Sequence, residues 1–197
     1  MKLKQLPVYT YGFDILRKKT KRITKVDDKL VELVRNMFHT MHKANGIGLA
    51  APQIGLDIAL TVIDISKTEE DIKSEPLILL NPKVIDAHGE DEAEEGCLSI
   101  PYVRALVTRP IEVYLEYQDL DLNKKSIELE GLMGRVAQHE IDHLNGILFV
   151  DHLNKDQRKK LKKELDDIKK GHVMTDYILA EIKKKNNSIA VKKSNKK

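Results

Sequence analysis

A single cysteine rules out an intramolecular disulfide, and that scarcity fits a reducing compartment. No apolar run approaches the ~20 residues that a membrane-spanning helix requires, which argues against any bilayer-crossing helix. The opening Met1-Lys2-Leu3-Lys4-Gln5-Leu6-Pro7 lacks an apolar h-region; neither a secretory signal nor a transit peptide is expected, and the cytoplasm is the expected location. Internal repeats are missing. The glycine-rich stretch from Gly46 to Gly55 has neither the Lys-Ser or Lys-Thr of a phosphate loop nor a G-x-G-x-x-G spacing, so a nucleotide is not its ligand. The acidic run from Gly89 to Glu95 lacks the ligand and glycine spacing of a calcium loop and reads as solvated.

What is present suits one globular body. A chain of 197 residues, 41% hydrophobic and 33% charged, is long enough to bury a core without disulfides or a structural metal. The net charge of +3 conceals an asymmetry: from Lys155 to Lys197, 15 Lys and Arg stand against 6 Asp and Glu. The basic character therefore lies at the C-terminus, and the rest of the chain is net acidic. The expected organisation is one domain over residues 1–185, followed by a basic tail over 186–197 that is expected to be disordered.

Apolar residues at Leu30, Val31, Leu33, Val34, Met37, Phe38 and Met41 recur at helical spacing, with Asp27 and Asp28 suited to the first turn. The runs Ile58 to Ile65 and Leu77 to Val84 read as buried strands, and Ile111 to Tyr117 with Ser126 to Glu130 as a hairpin exposed on one face. A further helix is expected from Leu132 to Leu144, stopped by Asn145-Gly146. A last one is expected from Lys155 to Lys170, resuming from Tyr177 to Lys185. This order predicts an α+β fold, with mostly antiparallel sheets around a central helix and a C-terminal helix.

The central helix carries His139-Glu140-Ile141-Asp142-His143, an H-E-x-x-H pattern. At ~3.6 residues per turn the two imidazoles stand one turn apart on one face, within reach of a single divalent cation. Glu140, beside the first of them, stands where a general base belongs. A third ligand must come from elsewhere. The metzincin continuation fails, because its third histidine position is Phe149. A thermolysin-like glutamate, Glu164, lies among lysines that read as a solvated face. Upstream is the lone cysteine, in Glu95-Gly96-Cys97-Leu98-Ser99. Read alone, Cys97 is a small buried hydrophobe as readily as a ligand. One thiolate with two imidazoles leaves a fourth position open, the ligand count of a catalytic site. Glu95 is singled out in the acidic run as a partner for Arg104, with a plain surface glutamate as the alternative. Gly46 and Gly48 serve either a tight turn or close backbone approach to a ligand, with Gln53 offering an amide.

Three segments in order, Gly46-Ile47-Gly48-Leu49-Ala50-Ala51-Pro52-Gln53, Glu95-Gly96-Cys97-Leu98-Ser99 and Gln138-His139-Glu140-Ile141-Asp142-His143, make the chain resemble the bacterial peptide deformylases over nearly its whole length. The resemblance implies one divalent metal ion held by Cys97, His139 and His143, iron(II) in the cell with zinc, nickel or cobalt as substitutes. It implies catalysis by Glu140, and oxyanion donors in the Gln53 side chain and the Leu98 backbone N–H. The implied substrate is a nascent peptide beginning with N-formylmethionine, extended beside Gly46, Ile47 and Gly48 with its methionine near Val136, and the products are formate and a free amine. Tyr102 stands where the family more usually has a smaller or polar residue. Two rivals remain at this level: a zinc endopeptidase using Glu164, and a non-catalytic RNA-binding protein acting through its basic end. For a deformylase, that same end is expected to touch the ribosome, or else its lysines merely solvate a helix packed through Leu161, Leu165 and Ile168.

Overall fold

The structure is a computed structural model describing residues 3–66, 68 and 75–182. The stripe from Leu30 to Met41 lies on helix α1 (Asp28–Lys43), which opens where the Asp27 carboxylate accepts the Leu30 N–H at 3.0 Å. Its buried face packs on β1 (Gly48–Ala50) and β2 (Leu60–Ile63). These continue through β3 (Leu77–His88), β6 (Glu112–Gln118) and β7 (Lys124–Glu130) into a five-stranded antiparallel sheet of order β1-β2-β3-β6-β7. Strand β1 is therefore an edge, with β2 on one side and no strand on the other among the described residues.

Between β3 and β6 the chain forms a separate hairpin, β4 (Asp91–Cys97) with β5 (Ile100–Arg109). The acidic run lies mostly on a strand: all six pairs from Asp91 to Gly96 keep register before an irregularity between Gly96 and Cys97 at the hairpin tip. Sequence patterning missed β5 as well, although its burial alternates from Tyr102 to Arg109.

Helix α2 (Gly131–Leu144) lies against β1, β2 and β7, and almost every residue from Gly134 onward is buried. A helix covered on nearly all sides is central to its domain. Gly134 lets it sit close, since a Cβ there would meet the Leu129 carbonyl oxygen at 2.9 Å. The stop is the one expected: Gly146 N–H reaches the His143 carbonyl and Ile147 N–H the Asp142 carbonyl, with Gly146 at φ 76°.

The expected helix from Lys155 to Lys170 is two helices, α3 (Lys155–Lys160) and α4 (Lys162–Lys169), broken at Leu161. Leu165 and Ile168 are buried against β5 and Phe149, with Leu161 packed beside them. No helix resumes at Tyr177. The chain is extended there, and Leu179 pairs in parallel with Val8, because the Ile178 carbonyl and the Ala180 N–H flanking it find backbone partners on Val8. The rest of that expected helix, residues 183–185, and the tail 186–197 lie outside the described residues.

Candidate active site

Strand β4 ends at Cys97, and α2 presents His139 and His143 to it. The Cys97 Sγ lies 3.2 Å from His143 Nε2, and one ligand atom from each of the three residues lies within 4.8 Å of the others. Among the described residues this is the one such group. It fits a metal ion by donor chemistry, a thiol with two imidazoles. It also fits by electrostatics. Burial works against a charged His139, yet its contacts with Cys97 and Glu95 outweigh it and raise its pKa well above the ordinary value, so the surroundings favour a positive charge at this place. Burial and the neighbouring His139 and Arg109 cations push His143 the other way, toward the neutral imidazole a ligand must be.

His139 is oriented from behind. Its Nδ1 lies 3.0 Å from Glu95 Oε2, which leaves Nε2 for the cluster. Glu95 is 6% exposed and is itself held by Arg109 and by Arg135 Nη1 at 2.9 Å. Burial alone would raise the Glu95 pKa, but hydrogen bonds from His139 and Arg109 prevail and hold it at about 2. Arg109 also donates to Asp142 at 2.8 Å, and His152 Nε2 meets the same oxygen at 2.8 Å. The expected partner, Arg104, does not reach Glu95: it lines the cleft from its exposed rim and pairs with Glu94 at 3.2 Å. Strand alternation explains the correction. Glu95 is opposite Ala105 and shares a face with Val107 and Arg109, whereas Arg104 is opposite Gly96 on the other face. The signal for Arg109 was its place at the end of the alternation Val103, Ala105, Val107.

Glu140 is 3% exposed, and its Oε2 has no protein partner. Burial raises its pKa to about 7, against the opposing pull of His139 and Arg109. A carboxylate so poised is suited to accept and return a proton near neutrality. Gln53 comes from a short 3-10 turn after β1; its Oε1 accepts the Ala50 N–H at 2.7 Å, which directs Nε2 to Cys97 Sγ at 3.5 Å. All of these face a cleft of about 550 Å³, walled by Gly46, Ile47, Gly48, Val136 and Tyr102, with Leu98 at its hairpin edge. Tyr102 is 78% exposed, with φ at 63°. Glu164 is exposed on α4 and takes no part in the cluster. Sequence reasoning also missed Tyr177, which lines the cleft from the C-terminal segment.

An H-E-x-x-H helix that turns two imidazoles and a buried carboxylate toward a thiol, beside an open cleft, defines a metal-dependent hydrolase. The polypeptide deformylase family model matches residues 5–159. The peptide deformylase of Chlorobaculum tepidum is 45% identical over 175 residues, 89% of this chain and 94% of its own. Among solved structures, a peptide deformylase from Legionella pneumophila superposes with a TM-score of 0.78 at 38% identity, covering 86% of this chain and 98% of that one. Another, from Synechococcus elongatus in complex with actinonin, gives 0.75 at 40% identity over 89% and 92%. The chain belongs to the polypeptide deformylase family, and it is a hydrolase that removes the N-formyl group from nascent polypeptides in a metal-dependent reaction. The endopeptidase and RNA-binding readings gain no support from these matches.

Proposed function

We propose that Cys97, His139 and His143 hold the catalytic cation, with iron(II) the metal in the cell and zinc, nickel or cobalt able to replace it. When bound, the cation polarises the formyl carbonyl and makes a water nucleophile available near neutral pH. Glu140 takes the proton of the attacking water and returns it to the departing amine. Its buried, unpartnered Oε2 supports that role. The Gln53 Nε2 and the Leu98 N–H donate to the oxyanion, each worth roughly 2.7–4 kcal/mol of barrier. The observation that carries this reading is the grouping of Cys97, His139 and His143 within 4.8 Å beside Glu140.

The edge position of β1 supports an extended peptide that adds as a strand beside Gly46, Ile47 and Gly48, with its methionine against Val136. Arg104 lines the same cleft and supports the site from its solvent-facing rim, paired with Glu94 instead of Glu95. The lysines of α3 and α4, Lys159, Lys160, Lys162 and Lys163 among them, are exposed while Leu165 and Ile168 are buried. That division leaves a basic face for ribosomal RNA in the cytoplasm, where nascent chains emerge. Residues 1–185 then act as one catalytic domain with 186–197 as its basic tail. The test is anaerobic purification, metal analysis and formate release from a formylmethionyl peptide. A bound divalent ion with formate release is expected, together with far slower reaction of the acetylated peptide; equal rates on both would sink the reading.

A further inference from the structure

After α4 the chain does not leave the body. Residues 173–182 run back across it toward the cleft, and the register is fixed by two backbone bonds, Val8 N–H to the Ile178 carbonyl at 2.8 Å and Ala180 N–H to the Val8 carbonyl at 2.9 Å. This strap brings Tyr177 to the wall of the cleft, where its hydroxyl donates to the Leu98 carbonyl at 2.8 Å. The Thr175 hydroxyl donates to the Tyr177 carbonyl at 2.7 Å and sets the approach. Tyr177 lies beyond the residues 5–159 that the family model matches.

The bond falls on a part of the site whose backbone has few other ties, although Ser99 is buried and the Leu98 side chain packs on the core. Leu98 and Ser99 form the hairpin tip between β4 and β5, where the ladder has lost its register. Two further ties reach that tip: the Tyr11 N–H donates to the Ser99 carbonyl at 2.7 Å, and Gln53 Nε2 approaches Cys97 Sγ. The Gln53 loop is tied to the same N-terminal segment, since the Tyr9 N–H donates to the Gln53 carbonyl at 2.7 Å. One extended segment, Val8 to Tyr11, thus holds the strap on one side and both site loops on the other.

We propose that the C-terminal strap completes the active site, and that Tyr177 is a positioning residue that fixes the Leu98 backbone so that its N–H meets the oxyanion. The inference rests on the reading of Leu98 as an oxyanion donor. A donor already held in place costs no reorganisation when charge develops, so Tyr177 acts on the transition state more than on substrate binding. Burial pushes the Tyr177 phenol above its ordinary pKa, so it remains a donor wherever the enzyme works.

The experiment compares the full-length metal-loaded enzyme with Tyr177→Phe, which deletes one oxygen, and with Tyr114→Phe on strand β6 as a remote control. Formate release from a formylmethionyl peptide gives kcat and KM; metal content, thermal midpoint and amide exchange of the peptide containing Leu98 and Ser99 are read alongside. Tyr177→Phe is expected to lower kcat roughly fivefold to tenfold, the effect of one hydrogen bond, with KM and metal content unchanged. Exchange at the hairpin tip is expected to quicken. An unchanged kcat in an active parent background, or a fall in thermal midpoint alone, overturns the role of Tyr177. A parent enzyme that releases no formate would overturn the oxyanion reading and this inference with it.

Discussion

Arg109 meets Glu95 side-on, its Nε and Nη2 donating to the two carboxylate oxygens at 2.6 and 3.0 Å, with both side chains almost wholly out of water. The second of those oxygens also faces His139 Nδ1. The ion pair is therefore one step removed from the cluster, and its alteration is expected to be felt at any cation held there. Glu95→Gln is expected to weaken metal affinity roughly 10- to 100-fold, as loss of a ligand's orienting partner does elsewhere. Glu95→Ala, which leaves two buried guanidinium groups short of a partner, is expected to cost about 3–5 kcal/mol of stability. Chelator competition checks the first and denaturant unfolding the second; unchanged affinity in Glu95→Gln would show that His139 needs no such support.

Acid stability follows from the same residue. A pKa of about 2 in the folded protein, against an ordinary 4.5, means the native state binds fewer protons than the unfolded one as pH falls. The stabilisation is full above pH ~4.5 and is lost progressively down to pH ~2, amounting to roughly 3 kcal/mol for a shift of this size. Urea midpoints of parent and Glu95→Gln, followed through that window, should converge as the pH falls.

Gly48 has no room for a side chain. A Cβ would run into the Glu140 carboxylate and come within 2.8 Å of Val136 Cγ1. Gly48→Ala is expected to retain metal and fold while losing at least roughly tenfold in kcat, since a base displaced by part of an ångström loses its alignment. Steady-state kinetics at full metal occupancy decides this, and an unimpaired kcat would exclude Glu140 as the base in the orientation seen here.

Ligand and base are separable by mutation. Cys97→Ala, His139→Ala and His143→Ala should each fail to retain metal through gel filtration, whereas Glu140→Gln should retain it with turnover lost. Gln53→Leu should lower kcat chiefly, by roughly 10²-fold or more. Full metal occupancy in Cys97→Ala would remove the thiolate from the set.

Iron and zinc forms should age differently in air. A thiolate on iron(II) is open to oxidation, whereas zinc has no redox chemistry. Activity half-lives measured aerobically should be shorter for iron; identical values would count against Cys97 as a ligand of that metal.

The chemistry of the site was legible because its residues are rare types at fixed spacing. One cysteine and a His-Glu-x-x-His helix need little else to be recognised, and the amphipathic stripe of α1 announced itself by period. The β4–β5 hairpin was not legible. Its inward face reads Asp91, Ala93, Glu95 against Ala105, Val107, Arg109, so charge stands where apolar residues usually reveal a strand, and the pairing that neutralises it is visible only in register. For the same reason Arg104 was read as the partner of Glu95 and Arg109 was not considered. The break at Leu161 leaves no mark in an almost continuous lysine-rich pattern. Tyr177 escaped because its place at the cleft depends on a return path of the backbone, which no local spacing encodes.

The pairing of Val8 with Leu179 also fixes when the enzyme can become competent. It joins residues 171 positions apart, so the cleft cannot be closed on the Tyr177 side until the chain has been synthesised through Leu179. Contacts of such long sequence separation form late in folding, after the local helices and hairpins are in place.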